Sequence, residues 1–234
     1  MIILAVDTAS RACSVALSEN DTLRYEYVAD HGGTHAVKLA GMIDEVLCAS
    51  GVLVSELDGF AVSIGPGSFT GLRIGIATVK GLAFAASKPV VPISSLEALA
   101  YQAGGGYPVA GISMLICPFL DARKQEIYTA TYRRTADLME KVMSPRVASP
   151  EWMLANITER CLFIGSGALL YREMIEKRLG KQACIASSEM NLLRASTVAR
   201  LGYQQLKDHA GALSHDVLPV YIRRSEAEKK LMAS

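Results

Sequence analysis

The chain has 234 residues, half of them hydrophobic, and a formal net charge of +1. This length allows one large domain or two small ones and is ample for a sizeable core. The near-neutral charge argues against a protein that grips nucleic acid through a general excess of lysine and arginine.

The cysteines and the first residues indicate a cytoplasmic chain. Five cysteines are spread along the sequence without a C-x-x-C pair, which is typical of reduced, buried thiols. The start, MIILAVDTAS, lacks the basic and the long apolar parts of a signal peptide. The apolar stretch 70–87 contains Arg73 and Lys80, so we do not expect it to span a membrane.

The first half of the chain predicts an alternation of strands and helices. Apolar runs bounded by turn residues predict strands, and apolar positions at helical spacing predict helices. The predicted strands are IILAVDT, CSVALSE, TLRYEYVA, GFAVSIG and KPVVPIS, and the predicted helices are 35–48, Thr70–Ser87 and SLEALAYQ.

The same order returns after the glycine-rich segment AGGGY, which we take as the boundary between two domains. The second half predicts the strands GISMLICPFLDA, EIYTATYRR, LMEKVMSPRVA, CLFIGSGA and a final edge strand VLPVYIR. Helices are predicted after Ser149 and Pro150, then through Arg178, and over about 194–209. The sequence therefore predicts two α/β domains, residues 1–104 and 105–234, each a mixed sheet flanked by helices.

The segment SIGPGSFTGLRIG joins a strand to a helix and suggests a phosphate site. Free amides at a helix start favour an anion, and Asp7 at the end of the first strand is placed to orient a metal-bound water or a counter-ion. The segment matches neither G-x-x-x-x-G-K-[ST] nor G-x-G-x-x-G. The alternative is a tight turn capped by Ser68 or Thr70, with Asp7 bonded to its own backbone. The candidate anion-binding residues are Asp7, Gly65, Gly67, Ser68 and Thr70.

The helix predicted after this loop is apolar nearly all round, because only Arg73 and Lys80 of its residues are charged. A helix that covers a sheet with one face should be polar on the other, so an apolar outer face indicates a second cover. The preceding helix is also short of charge, and together the two predict an association surface. Its expected residues are Leu39, Met42, Ile43, Val46, Leu72, Arg73, Ile76, Val79 and Lys80.

Two histidines have a metal-binding and a structural interpretation. His31 and His35 are four residues apart, a spacing at which two imidazoles on one helix can share a metal. Gly32 and Gly33 lie between them, where the helix has not begun, and a third ligand is missing. We therefore favour cap or surface histidines and predict no metal site.

The segment DARKQEIY also has two interpretations. It places Asp121, Arg123, Glu126 and Tyr128 together at a turn of the second half. These side chains form either a ligand clamp or an internal brace in which Asp121 pairs with Arg123.

Several of these segments are similar to one protein family. ILAVDTASRACSVAL, GPGSFTGLRIGIATVKGLA, PISSLEALA and DARKQEIY resemble the TsaB (YeaZ) family, densely over residues 1 to about 134 and more thinly beyond. The resemblance implies duplicated domains of the actin-like, sugar-kinase-like (ASKHA) superfamily. It also implies a role beside TsaD, the enzyme that transfers a threonylcarbamoyl group to the adenosine beside the anticodon of tRNA.

The resemblance implies a subunit that has lost the catalytic metal. The TsaD pattern carries two metal-binding histidines, H-x-x-x-H, just after a strand similar to KPVVPIS. On this chain those positions are Ser95 and Leu99, with Glu97 between them, and neither replaces an imidazole as a ligand. We therefore expect a non-catalytic paralogue of TsaD with no cofactor of its own, while ATP binding in the complex stays open.

The resemblance also implies partners. The two early helices of the family, which match residues 34–50 and 70–87, are its dimer surface toward TsaD, and a TsaE-type ATPase docks across that seam. Alone, the same face would form a homodimer, and tRNA would be reached through the complex.

Two alternative functions are a kinase or ATPase with ATP between the domains, and a glycoprotease-like metallopeptidase using His31 and His35.

Overall fold

The computed structural model describes residues 1–29, 35–106, 114–135, 139–208 and 214–223. The chain divides into two units, Met1–Ala98 with Leu193–Val220, and Leu99–Leu192 with the segment from Tyr221 onward. Each unit contains one five-stranded mixed sheet.

The sheet of the first unit has the strand order β3-β2-β1-β4-β5. Its strands are β1 (Ile2–Asp7), β2 (Cys13–Glu19), β3 (Thr22–Ala29), β4 (Gly59–Gly65) and β5 (Val90–Ser94). β2 runs antiparallel to β1 and β3, whereas β1, β4 and β5 are mutually parallel. Every residue of β1 after Ile2 is buried, as expected for a central strand covered on both faces.

Three helices follow these strands: α1 (His35–Ser50), α2 (Phe69–Ala86) and α3 (Ser95–Gly106). α1 packs against β2 and β3, and α2 packs against β4 and β1. The Ser68 hydroxyl caps α2 by accepting the amide of Gly71 at 3.2 Å, and Ser87 ends it in a left-handed conformation. Of the two cap residues that the sequence allowed, Ser68 and Thr70, the structure therefore selects Ser68.

The second unit repeats the topology of the first. Its strands are β6 (Met114–Asp121), β7 (Ile127–Arg134), β8 (Met139–Ala148), β9 (Cys161–Ile164) and β10 (Ala183–Ile185), in the order β10-β9-β6-β7-β8. Again the first strand pairs antiparallel with the second and parallel with the fourth. The helices are α4 (Pro150–Ala155), α5 (Ser166–Leu170) and α6 (Arg172–Leu179). The predicted duplication of a mixed sheet flanked by helices is confirmed.

The last helix, α7 (Ala195–Lys207), belongs to the first unit and packs against β1, β2, β4 and β5. Glu26 in β3 holds its start. The buried carboxylate accepts hydrogen bonds from Arg194 Nε and Nη2 at 3.0 and 2.6 Å, and from the Ser196 amide at 2.9 Å. A carboxylate at a helix N-terminus is favoured by the helix dipole and by the open amides.

The two units of the structure therefore differ from the domains predicted from the sequence, which met between residues 104 and 105. The second domain is not the whole of 105–234, because α7 and the segment Ser214–Val220 return to the first sheet. The glycines of AGGGY at 104–106 continue α3 instead of forming a loop. VLPVYIR forms no strand, and the helix predicted through Arg178 is divided into α5 and α6.

Among the described residues, α2 is the one helix with the length and mean hydropathy, 1.3, that would allow a membrane crossing. Length and composition alone are weak evidence for a membrane span, since the core helix of a globular domain can have the same length and hydropathy. Leu72, Ile76 and Val79 of this helix are buried against its own sheet.

Candidate functional site

The glycine-rich segment 63–75, here called the glycine loop, packs against the turn that follows β1. A Cβ atom at Gly67 would collide with the carbonyl oxygen of Ala9, and one at Gly71 with that of Thr8. A Cβ at Gly75 would collide with the Thr8 hydroxyl, which donates to the carbonyl of Gly71 at 2.8 Å. The glycines at 67, 71 and 75 thus let the backbone of another turn lie directly on the start of α2.

Of the residues expected to bind an anion through their amides, Ser68 uses its amide inside the chain, as do Gly71 and Leu72 in the first turn of the helix. The Ser68 amide donates to Ala9 O at 2.7 Å, and the Gly71 and Leu72 amides donate to Ser68 Oγ and O at 3.2 and 2.9 Å. At Gly65, φ is +113° and a Cβ would lie 2.8 Å from the Val220 carbonyl oxygen. The geometry therefore favours packing over a phosphate cradle, and anion binding by Gly65, Gly67, Ser68 and Thr70 stays a prediction.

Asp7 ends β1 and is fully buried. Its Oδ1 accepts the Ala9 amide at 3.3 Å, while among the described residues neither Oδ2 nor the buried Ser63 hydroxyl reaches a hydrogen-bond partner. Burial raises the pKa of Asp7 to about 7, although nearby Ser63 and the Ala9 amide favour ionisation. Burial and the charge of Asp7 raise the pKa of Cys13 to about 11.

This environment does not fit a carboxylate that orders a metal-bound water, because Asp7 has no exposed surface. In the described part of the chain, no group of three or more His, Cys, Asp or Glu side chains is placed to hold a metal ion. The histidine pair is not tested by this finding, since His31 lies outside the described residues and only the backbone of His35 is described.

Most of the side chains predicted to bind a partner belong to the core of the first unit. Seven apolar members of the set have exposed fractions of 5% or less: Leu39, Met42, Ile43, Val46, Leu72, Ile76 and Val79. Direct contact between these side chains and a partner does not fit the structure. They hold α1 and α2 on the sheet, so a partner would meet other residues of the two helices.

The two charged members of the set also have partners within the chain. The Lys80 ammonium donates to the carbonyls of His215 and Val217, both at 3.2 Å, and thereby fastens the returning segment to α2. The Arg73 guanidinium is exposed and lies 3.9 Å from the centroid of the Phe69 ring.

The exposed stripe of α2, here called its outer face, carries little charge. It consists of residues spaced three or four apart: Thr70, Arg73, Ala77, Gly81 and Phe84. Phe84 is 80% exposed, and in the described part of the chain a Cβ built at Gly81 would meet no atom within 4 Å apart from the backbone of α2 itself. The exposed residues of α1 include Lys38, Asp44 and Glu45, so the part of the predicted association surface on α1 carries more charge than the outer face of α2.

The DARKQEIY turn is braced, but not by the predicted ion pair. Asp121 Oδ1 accepts the backbone amide of Arg123 at 2.7 Å, and the Glu126 carboxylate pairs with Arg223. The Arg223 guanidinium also donates to Ala122 O at 2.9 Å. Sequence reasoning missed Arg223 and the Glu26–Arg194 pair, because each joins residues about a hundred or more positions apart.

The positions that the family resemblance matches to the metal ligands of TsaD lie in the first turns of α3. Ser95 and Leu99 are both fully buried. A hydroxyl and an isobutyl group enclosed in this way offer no imidazole-type ligand.

Comparison with known proteins decides the family. Residues 18–231 match the family model of TsaD, tRNA N6-adenosine threonylcarbamoyltransferase. The Bacillus subtilis tRNA threonylcarbamoyladenosine biosynthesis protein TsaB is 34% identical, over 100% of this chain and 99% of that protein. The chain belongs to the TsaB (YeaZ) family. The TsaB family acts in tRNA threonylcarbamoyladenosine biosynthesis.

Solved structures agree with this assignment. A Pseudomonas aeruginosa protein described as similar to the peptidase YeaZ is 30% identical, with a TM-score of 0.78 over 95% of this chain and 99% of that one. The polyphosphate/ATP-glucomannokinase of an Arthrobacter strain is 10% identical, with a TM-score of 0.51 over 89% of this chain and 99% of that one. That likeness shows the sugar-kinase-like fold of the TsaB family and nothing of its activity.

Proposed function

We propose that this TsaB-family chain is a non-catalytic scaffold subunit. It supports threonylcarbamoyl transfer to the adenosine beside the anticodon by forming a dimer with a TsaD-type transferase. The residues at the aligned metal positions, Ser95 and Leu99, support the absence of metal chemistry in this chain, because neither is a ligand.

The observation that carries the proposal is the outer face of α2. Small residues at Ala77 and Gly81 would allow the backbone of a partner helix to approach closely, and the exposed Phe84 ring would gain burial on docking. Arg73 is the only charge on this stripe, so a partner would desolvate little charge there. The buried residues beneath, such as Leu72 and Val79, keep the helix rigid on its sheet.

The wider assembly is proposed from the resemblance to the TsaB family. We expect a TsaE-type ATPase to dock across the seam between the two subunits, and tRNA to be engaged by the complex. Without its partner, the chain would pair through α2 as a homodimer, since a two-fold contact buries the same face twice. We expect a cytoplasmic protein that needs no cofactor of its own, while ATP in the complex stays a possibility to test. No feature of the glycine loop favours the kinase alternative.

The proposal is tested by light scattering on size-exclusion fractions of the chain mixed with a TsaD-type partner. The double variant Ala77→Glu, Gly81→Glu places two carboxylates on the exposed face without touching the core. We expect the wild type to form a one-to-one complex and the variant to lose at least about a hundredfold in affinity, because unpaired charge would be buried. Ile76 is unsuitable for this purpose, since it is only 4% exposed and a charge there would unfold the unit.

Ala155→Glu supplies the matched control, an exposed alanine changed to glutamate on a helix of the second unit. It should bind the partner like the wild type. A folded double variant that binds equally well, or a wild type that ignores the partner, would refute the scaffold proposal.

A further inference from the structure

Two of the five cysteines lie side by side in the core of the second unit. Cys117 is in β6 and Cys161 is the first residue of β9, and both side chains are fully buried. The two strands are parallel neighbours, in which Leu115 pairs with Cys161 and Cys117 pairs with Phe163. Because residues two apart on a strand share a face, both thiols lie on the same side of the sheet. They belong to one apolar cluster of that unit.

The two sulfur atoms are closer than apolar packing requires. The Cys161 thiol donates to Cys117 Sγ, and the two sulfurs are 2.8 Å apart. Uncharged heavy atoms in van der Waals contact usually lie about 3.5–4.0 Å apart. A disulfide bond is about 2.0 Å long, so the sulfurs would have to approach each other by only about 0.8 Å to form one.

In the resting chain this pair consists of two neutral thiols. All five cysteines are free, and burial, followed by the hydrogen bond with Cys117, raises the pKa of Cys161 well above its ordinary value. Since the thiolate is the reactive form, oxidation requires an opening that admits water. β9 has only four residues, and Cys161 comes directly after the exposed Arg160. Fraying of this strand end would therefore expose the Cys161 thiol first.

We propose that Cys117 and Cys161 form a reversible disulfide that links β6 to β9 when the chain meets hydrogen peroxide. The Cys161 thiolate attacks one peroxide oxygen, the O–O bond breaks, and the leaving hydroxide takes up the thiol proton as water, which leaves a sulfenic acid. The Cys117 sulfur attacks that sulfur, the S–S bond forms, the S–O bond breaks, and a second water leaves. In sum, the two thiols lose two protons and two electrons, and one peroxide is reduced to two waters.

The link would stabilise the second unit, and this role goes beyond the scaffold proposal. It closes a loop from residue 117 to residue 161 that contains β7, β8 and α4. Closing such a loop lowers the conformational entropy of the unfolded chain. The oxidised chain would therefore hold the first and fourth strands of this sheet together by a covalent bond, whereas the reduced pair supplies packing and a weak hydrogen bond.

The test is mass spectrometry of the whole native chain after treatment with millimolar hydrogen peroxide and alkylation without a reductant. We expect most chains to lose two hydrogen atoms within hours. Digestion should give the Cys117–Cys161 link at least about tenfold more often than any other cysteine pair, because these sulfurs are already in contact. Dithiothreitol should restore the original mass by thiol–disulfide exchange.

Single substitutions provide the matched controls. Cys117→Ala and Cys161→Ala should each abolish the link. Cys13→Ala removes a buried thiol from β2 of the first unit and should form the link as the wild type does. Peroxide should raise the urea midpoint of the wild type and of Cys13→Ala, but not that of Cys161→Ala.

Three outcomes would overturn the proposal. One is oxidation of Cys161 to a sulfinic acid without a link, and another is a link that forms only above the unfolding midpoint. The third is a linked wild type whose urea midpoint does not exceed that of the reduced chain. Partner binding is not part of these measurements, so their failure leaves the scaffold proposal untouched.

Discussion

Two aspartates form the same local turn contact but differ in burial. β1 ends in Asp7 and β6 in Asp121, and each carboxylate accepts the amide of the residue two positions later. Asp121 is exposed, whereas Asp7 is enclosed and has a pKa of about 7. The turn chemistry is readable from the sequence, but the ionisation state depends on what the fold places over the carboxylate.

The raised pKa of Asp7 makes a prediction about pH. The unfolded chain loses this proton near pH 4 and the folded chain near pH 7, so the folded state binds more protons between these values and its stability falls as the pH rises. The full effect above pH 7 is on the order of 4 kcal/mol for a shift from 3.8 to about 7. Asp7→Asn removes the titration and should gain stability relative to the wild type between pH 5 and pH 8.

Urea unfolding at several pH values, with both proteins side by side, measures this difference. Other titrating groups are common to both proteins and cancel. The substitution also changes the hydrogen bonding of the buried side chain by an amount that does not depend on pH. The test is therefore how the difference in unfolding free energy between the two proteins changes with pH. A difference that stays flat from pH 5 to pH 8 would show that Asp7 is charged in the folded chain at both ends of the range.

At the scale of the element, the two faces of α2 differ in packing, because one lies against the chain and the other is exposed. Its inner face carries Gly71 and Gly75, which touch the Thr8 turn, and its outer face carries Gly81, where an added Cβ would lie more than 4 Å from every described residue outside the backbone of α2 itself. The sequence predicts a helix that is apolar nearly all round. In the structure the large apolar residues are mostly buried, and the outer face consists of Thr70, Ala77 and Gly81 with two larger side chains, Arg73 and Phe84. Spacing alone did not show which glycines meet another backbone.

A pair of substitutions on this one helix separates the two kinds of glycine. Gly75→Ala should cost about 1–3 kcal/mol of unfolding free energy, because the new methyl group displaces Thr8. Gly81→Ala should gain up to ~1 kcal/mol, since alanine is the better helix former and the space is open. Chemical denaturation of the two variants gives both values, and similar stabilities would disprove the packing role of the Thr8 turn.

At the scale of the whole molecule, the chain order and the spatial units do not coincide. Along the sequence, α7 is separated from the strands of the first sheet by residues Leu99–Leu192 of the second unit, yet it packs on that sheet. A Cβ at Gly202 of α7 would lie 2.6 Å from the Ala61 side chain in β4, and Glu26 fastens the start of the helix through Arg194. The first unit is therefore incomplete until residues Leu193–Val220 have folded onto it.

Two fragments test this discontinuity. Residues 1–104, the domain predicted from the sequence, should fail to unfold cooperatively, because β1 and β4 would be uncovered where α7 packs. Residues 1–98 joined by a flexible linker to 193–220 should show a cooperative transition in circular dichroism. A cooperative 1–104 fragment would mean that α7 is dispensable for the first unit.

Much of the fold was determined by the sequence itself, because the relevant signals are local. Strand and helix periods, the serine caps at Ser68 and Ser149, and the repeated order of elements involve neighbours along the chain. The absence of histidines at positions 95 and 99 is likewise a property of the sequence.

Only the tertiary structure decided which of these residues meet. It brought Thr8 and Ala9 onto the glycine loop, placed the carbonyls of His215 and Val217 on Lys80, and buried the apolar residues expected to face a partner. Such contacts join segments tens to well over a hundred positions apart. They arise from the joint burial of apolar faces and the pairing of enclosed polar groups, which no local pattern of residues encodes.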